Sequence, residues 1–483
     1  MIIDNDRVDA PPASERYDVC IAGGGVAGIV LATTLAERDR RVLLLEAGGL
    51  QPSDRSQQFY RGEVAARGYF DLDIARLRFL GGTSNHWSGL CRPLDPHDFV
   101  RHAHIAHSGW PLGIEALQPY LAPACEILEI EPVFGERALA QAGGELKEVI
   151  FRHSPPVRFK EKYLDFLQSS DALEVHLNAN LTGLQLDRGT GWVTAAAVRG
   201  YDAEAPIRYA AAERYVLALG GIENARMLLN VAEQAPWIAA PPNDLIGRFF
   251  MEHPHHVIGH YVVNAARTDF GQELRFIAPG DALRRRQEVA NCAVWVEPYV
   301  DRRAFEGDAL DAVRRIICES SVYRCTPPSE AGTLRAMVEQ VPNPSSRVRL
   351  SNVRDSFGLR RAVLDWRLSP IDKKTMRTVG LEIGKYFATT NIGRVRLNDW
   401  VLARDDAVPG LREGEQVGAF HHMGTTRMGH SPADGVVDRD CRMFTVPNLY
   451  LAGSSVFPTV GCANPTLTIV QLTLRLADHL LAA

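Results

Sequence analysis

Residues 17–49 read YDVCIAGGGVAGIVLATTLAERDRRVLLLEAGG, and this stretch decides the fold. Residues 17–22 form an apolar run of strand length. A glycine turn follows, then an apolar helical segment from Val26 to about Arg38. A second β-rich run, 41–45, ends at Glu46. This is a βαβ unit. Within it Gly23, Gly25 and Gly28 complete G-x-G-x-x-G, with Val26 and Ala27 between the last two. Gly23 allows the tight turn, Gly25 lets the backbone approach a pyrophosphate, and Gly28 lets helix and strand pack closely. The helix start offers free N–H groups to phosphate oxygens. Glu46 stands near the ~20-residue spacing of a ribose-binding acid. A dinucleotide site is expected, and the motif alone does not separate FAD from NAD.

Similar apolar runs at 215–219 and 448–452 end in small residues and lead into helical patterns. They read as further strands of one layered α/β domain gathered from distant parts of the chain. Segments 288–297, 346–351 and 360–368 alternate like antiparallel strands. They suggest a second domain inserted into the first. Residues 1–16 read as a polar leader, and the run Arg284–Arg286 as a solvated face.

The 483 residues suffice for about two to three domain-sized cores. A hydrophobic share of 46% and a charged share of 23% are ordinary for a globular chain, and a formal charge of −5 gives no basis for a nucleic-acid partner. No apolar run reaches the roughly 18 residues of a membrane span. The acidic, polar start lacks the features of a secretory signal, so a cytoplasmic location is expected. The 8 cysteines are scattered without a CxxC pair, which points to buried thiols and no zinc site.

Near the C-terminus, residues 420–429 read FHHMGTTRMG and residues 451–467 read LAGSSVFPTVGCANPTL. Asn464 suits an N-cap and Pro465 the first helical position, so a helix is expected from Asn464-Pro465-Thr466 onward. Its N–H groups near Thr466 and Leu467 would suit an anionic reduced flavin, although a merely capped helix reads equally well. The pair His421-His422 offers a base for work near neutral pH or a structural pair in a polar turn. HPHH at 253–256 lacks carboxylate or cysteine partners nearby in sequence, and a loop or core role is favoured over a metal site.

On these stretches, together with LRFLGGTSNHWSG at 77–89, SGWPL at 108–112, LALGGIENARMLL at 217–229, GRFFMEHP at 247–254 and the segments NPSSRVRLS and LDWRLSPID between 343 and 372, the chain resembles the glucose–methanol–choline (GMC) oxidoreductases. The motifs come closest to pyranose-oxidase-like bacterial members. The resemblance implies a Rossmann-type FAD-binding domain with an inserted α+β substrate-binding domain, as in p-hydroxybenzoate-hydroxylase-like architectures. The FAD domain would take residues 1–100, 165–255 and 415–483, and the substrate domain 101–164 and 256–414.

Carried over by position, His421 matches the catalytic histidine and Asn464 the second active-site position. The reaction implied is removal of a carbinol hydride to flavin N5, with His421 as base. Gly453 and Ser454 match flavin contacts, Leu181 an adenine contact through its backbone, and Gly81, Gly82, Ser84, Asn85 and His86 the loop beside the flavin. Asn464, Pro465 and Thr466 would face the flavin from the helix start. A covalent bond from His86 to the flavin methyl is allowed by the resemblance but disfavoured, since Asn85 replaces the threonine usual before it. The substrate implied is a sugar or glycoside alcohol. Oxidation of a non-sugar alcohol, and a non-redox flavin-containing lyase, remain alternatives. Oxygen, a quinone or another acceptor would take the electrons.

Overall fold

The computed structural model describes residues 1–6, 16–66, 68–202, 206–240, 244–264, 274–298, 329–411, 417–418 and 420–482. Its organising layer is a six-stranded, all-parallel sheet. The strands are β1 (Ile2–Asp4), β2 (Tyr17–Ala22), β3 (Val42–Leu45), β4 (Leu173–Leu177), β5 (Ala212–Leu217) and β6 (Leu449–Leu451), in the order β1-β4-β3-β2-β5-β6. Parallel strands buried on both faces need near-continuous apolar sequence, and β3 (VLLL) is buried at every position. Three helices matter for the site: α1 (Val26–Ala36), α2 (Gly220–Ala232) and α3 (Pro465–Ala482). Chain order reverses direction on either side of β2, and ligands bind at such a switch point, beyond the carboxyl ends of the strands. The ends of β2, β3 and β5 lead directly into Gly23, Glu46 and Ala218. This is a Rossmann-like α/β layer, as the sequence implied.

Among the described residues a second sheet has eight strands and is antiparallel in every pairing. It contains Glu136–Ala138, Leu146–Ile150 and strands drawn from Pro254–Asn264 to Gly393–Leu397, with Val417–Gly418 paired at one end. The helix Pro370–Thr389 covers it, and Ile258, Leu334, Met376, Val379 and Phe387 form a core separate from that of the parallel layer.

Several expectations give way here. Ile2–Asp4 is no leader: it pairs in parallel with Val175–Leu177 and edges the first sheet. Such a three-residue strand carries no period for sequence reading to find. The strands Arg347–Arg354 and Arg360–Asp365, placed with the inserted domain by their alternation, form a hairpin joined to Glu63–Val64. Their Val348, Ala362 and Leu364 belong to the core of the parallel layer. Likewise Trp110, Leu117, Ala124 and Phe159, expected in the substrate domain, join that same core. Alternation reports one buried face and not which neighbour buries it.

Arg284 is not solvated but 1% exposed, ion-paired with Asp281 and surrounded by the acids Asp95, Asp98 and Glu339. The six cysteines among the described residues are free and buried. Cys318, Cys325 and residues 7–15 of the expected leader lie outside the described residues. No helix among the described residues is long and apolar enough to cross a membrane.

Candidate active site

One cavity of about 500 Å³ runs from the glycine turn to His421 and Asn464. At its dinucleotide end Gly23 has φ +109°, and a Cβ there would lie 2.4 Å from the Ala218 carbonyl oxygen. A Cβ on Gly28 would meet the Gly23 carbonyl oxygen at 1.8 Å, so only glycine lets α1 start this close to β2. Around Gly25 a Cβ would meet nothing within 4 Å. That glycine, with Val26 and Ala27, opens onto the cavity.

Glu46 is buried, and its two carboxylate oxygens accept from the Gly24 N–H (2.8 Å) and the Gly48 N–H (2.7 Å). Burial raises its pKa against those two hydrogen bonds and the charge of Arg78. Each oxygen keeps a second lone pair for a ribose hydroxyl. Leu181 lines the same end.

The loop at 81–86 is pinned to the glycine turn by the Gly81 N–H donating to the Gly24 carbonyl (2.7 Å). Arg158 donates to the carbonyls of Ser84 (2.8 Å) and Trp87 (3.1 Å) and holds the loop from behind. Gly82, Ser84 and His86 face the cavity. Gly81 and Asn85 do not, although both were expected as cofactor contacts. The Asn85 amide turns inward and donates to the carbonyls of Leu80 and Gly82, so it shapes the loop instead. Gly28 likewise acts by packing and stands behind the wall.

At the far end Gly453, Ser454, Asn464, Pro465 and Thr466 line the cavity with His421. Ser454 Oγ donates to the His422 carbonyl (2.7 Å), and the Gly424 N–H to the Ser454 carbonyl (3.1 Å), which ties the two C-terminal stretches together. α3 begins at Pro465 as expected. Asn464, however, does not use its side chain as a cap: Nδ2 lies 3.4 Å from His421 Nε2, and the buried Oδ1 has no partner among the described residues. A buried polar atom left unpaired at this point marks a place where a ligand atom belongs. The buried Thr468 Oγ1, in the first turn of α3, is also unpaired.

His421 is neutral. Burial, and then the neighbouring rings of His253, His255 and His422, hold its pKa well below the ordinary 6.5. Its backbone N–H donates to Glu252 Oε1 (3.0 Å), and Tyr69 Oη donates to the other oxygen of that buried carboxylate (3.2 Å). His253 and His255, expected in a loop or core role, stand beside His421 at ring distances of 5.2 and 6.5 Å. His256 points the other way, against Trp400. Alternation on the strand Pro254–Asn264 separates those last two. Among the described residues no group of histidines, cysteines or acids is arranged to hold a metal.

An adenine dinucleotide with a redox-active ring fits this layout. The glycine turn and Glu46 suit its pyrophosphate and ribose, and the unpaired Asn464 amide and the start of α3 suit its reactive end. The protein is therefore a dinucleotide-dependent oxidoreductase by fold and site. Residues 342–473 match the family model described as GMC oxidoreductase, and residues 21–79 that of an NAD(P)-binding Rossmann-like domain.

The chain is 24% identical to the fructose dehydrogenase large subunit of Gluconobacter japonicus, with 96% of this chain and 97% of that protein aligned. It is 23% identical to 2-methyl-1,2-propanediol dehydrogenase of Mycolicibacterium austroafricanum, over 97% and 96%. A C-glycoside 3-oxidase of Arthrobacter globiformis is 29% identical over 45% of this chain and 40% of its own length. Among solved structures, pyridoxine 4-oxidase from Mesorbium loti shares the fold at a TM-score of 0.60 and 17% identity, covering 96% of this chain and 99% of that one. The chain thus carries a GMC oxidoreductase C-terminal domain behind a Rossmann-like segment, and it is an FAD-dependent enzyme acting on CH–OH donors.

Proposed function

We propose that this enzyme oxidises a carbinol carbon of a sugar or glycoside, with His421 as the base and Asn464 orienting the alcohol oxygen. The observation that carries the reading is the facing pair itself: His421 Nε2 and Asn464 Nδ2 lie 3.4 Å apart on the wall of the cavity that begins at the glycine turn. An alcohol placed between them donates its hydroxyl hydrogen to Nε2 while its oxygen accepts from Nδ2. The neutral ring then takes the hydroxyl proton as the carbinol carbon is oxidised. Bound FAD supplies the two-electron oxidant. The start of α3 offers the backbone N–H groups of Thr466 and Leu467, which no carbonyl of the helix can reach, and these favour negative charge at the same end.

The sugar reading is supported by the relatives named for fructose and for C-glycosides. The relative named for 2-methyl-1,2-propanediol favours a second reading, a small non-sugar alcohol. Anaerobic titration of the yellow protein with sugars, glycosides and simple alcohols tests both. Bleaching by a sugar or glycoside is expected. Bleaching by the simple alcohols alone replaces the first reading with the second, and a flavin bleached by none of them refutes both. Readmitting air to the bleached protein separates oxygen from a quinone or protein acceptor.

A further inference from the structure

The segment at 251–253 runs antiparallel to the segment at 421–423. Met251 and Met423 exchange N–H···O=C bonds, both of 3.0 Å. Two residues further along one segment and two back along the other, that register sets His253 opposite His421. Their Nδ1 atoms lie 3.0 Å apart, with the rings nearly perpendicular at 87°. Two ring nitrogens at this distance share one hydrogen, and its owner is set by what each ring does at its other nitrogen.

His253 Nε2 lies 2.9 Å from the Gly461 carbonyl oxygen. A carbonyl only accepts, so the hydrogen of His253 sits on Nε2. His253 is fully buried, and that burial lowers its pKa to about 4, which keeps the ring neutral with a single N–H. Its Nδ1 is consequently bare and accepts. The hydrogen shared with His421 therefore belongs to His421 Nδ1, and the one nitrogen left without hydrogen on His421 is Nε2. That is the atom facing Asn464 Nδ2, a donor.

We propose that His253 is a positioning residue that fixes the tautomer of His421, so that Nε2 meets the substrate hydroxyl as an acceptor. The arrangement is anchored at both ends. Gly461 sits in a turn at φ +54°, where its N–H donates to Glu339 Oε1 (3.3 Å) and the nearby Thr459 Oγ1 donates to the Asp98 carbonyl (2.6 Å). The His421 backbone is held by Glu252, the residue just before His253. The functional meaning of the tautomer rests on the proposed role of His421 as base, but the tautomer itself exists without substrate.

The test uses holoenzyme 15N-labelled at histidine and read by two-bond 1H–15N correlation, with the His421 signals assigned by their loss in His421→Gln. A His421 ring protonated at Nδ1 is expected, and one protonated at Nε2 overturns the proposal. In His253→Leu the Nε2–H form gains population, and flavin reduction slows by about 10-fold or more with KM little changed, a fraction of what a general base contributes. His253→Asn, whose amide oxygen can stand where Nδ1 stood, restores most of that rate. Wild-type flavin reduction in a folded, flavin-loaded His253→Leu protein overturns the proposal. If His421 carries hydrogen on Nδ1 yet His421→Ala reduces flavin normally, the proposed function fails while the tautomer stands.

Discussion

Two alanine substitutions three residues apart at one helix start, about 4.5 Å along its axis, should separate protein stability from cofactor affinity, because the structure leaves one position empty and the other full. A Cβ at Gly25 touches no atom within 4 Å, and its backbone has φ −86°, which alanine adopts freely. Gly25→Ala should therefore leave the apo protein within about 0.5 kcal/mol of wild type, as for a surface change. Its methyl group enters the space where the pyrophosphate must lie, and should weaken FAD binding by about 10-fold or more, or about 1.4 kcal/mol.

Gly28→Ala differs. Its Cβ would lie 1.8 Å from the Gly23 carbonyl oxygen and 3.0 Å from the carbon. Helix and turn must separate by more than an ångström, an overpacking cost of about 1–3 kcal/mol or more. That variant should lose apo stability as well as FAD. Thermal unfolding of both apo proteins and fluorescence titration with FAD give the two quantities. If Gly25→Ala lowers apo stability as much as Gly28→Ala does, or binds FAD as wild type does, the placement of the pyrophosphate is wrong.

His421→Ala should slow flavin reduction by at least about 100-fold in anaerobic stopped flow, and a near-normal rate removes His421 as the base. As the proposed base, His421 would react as the neutral ring, and burial holds its pKa well below 6.5, so that form persists on the acid side. Flavin reduction should stay level as pH falls through 6.5, and a decline centred there would contradict the burial argument. Acid precipitation should release the flavin into the supernatant, whereas a yellow pellet would show the His86 bond.

Arg226 is buried and ion-paired with Glu223 (2.9 Å) and Asp355. Although burial alone would raise the Glu223 pKa, Arg226 and Arg76 bring it down to about 2. Arg226→Leu leaves buried carboxylates short of a partner and should cost about 3–5 kcal/mol in denaturant unfolding of the apo protein. A loss below 1 kcal/mol would mean that the pairing contributes little.

The dinucleotide end was legible because its parts are contiguous. Strand, glycine turn, helix, strand and acid follow within residues 17–46, and each glycine answers a local steric demand. The helix at Pro465 was equally local. What the chain order conceals was decided by long-range pairing. Local preference makes Asn464 a cap, yet its amide faces His421, 43 residues away. The HPHH stretch gives no sign of chemistry until the antiparallel bridge between Met251 and Met423 sets His253 against His421, 168 residues away. The hairpin at 347–365 shows a buried face in sequence, but only packing on α2 and pairing with Glu63–Val64 decide which layer owns it. Arg284 sits in a run of three arginines that reads as solvated, and only the surrounding acids of distant segments make its burial tolerable. Residue types and local spacing thus determined the cofactor class and one end of its site. Tertiary pairing alone decided that His421 stands between His253 and Asn464, because the three lie far apart in the chain and only the folded bridge brings their ring and amide nitrogens together.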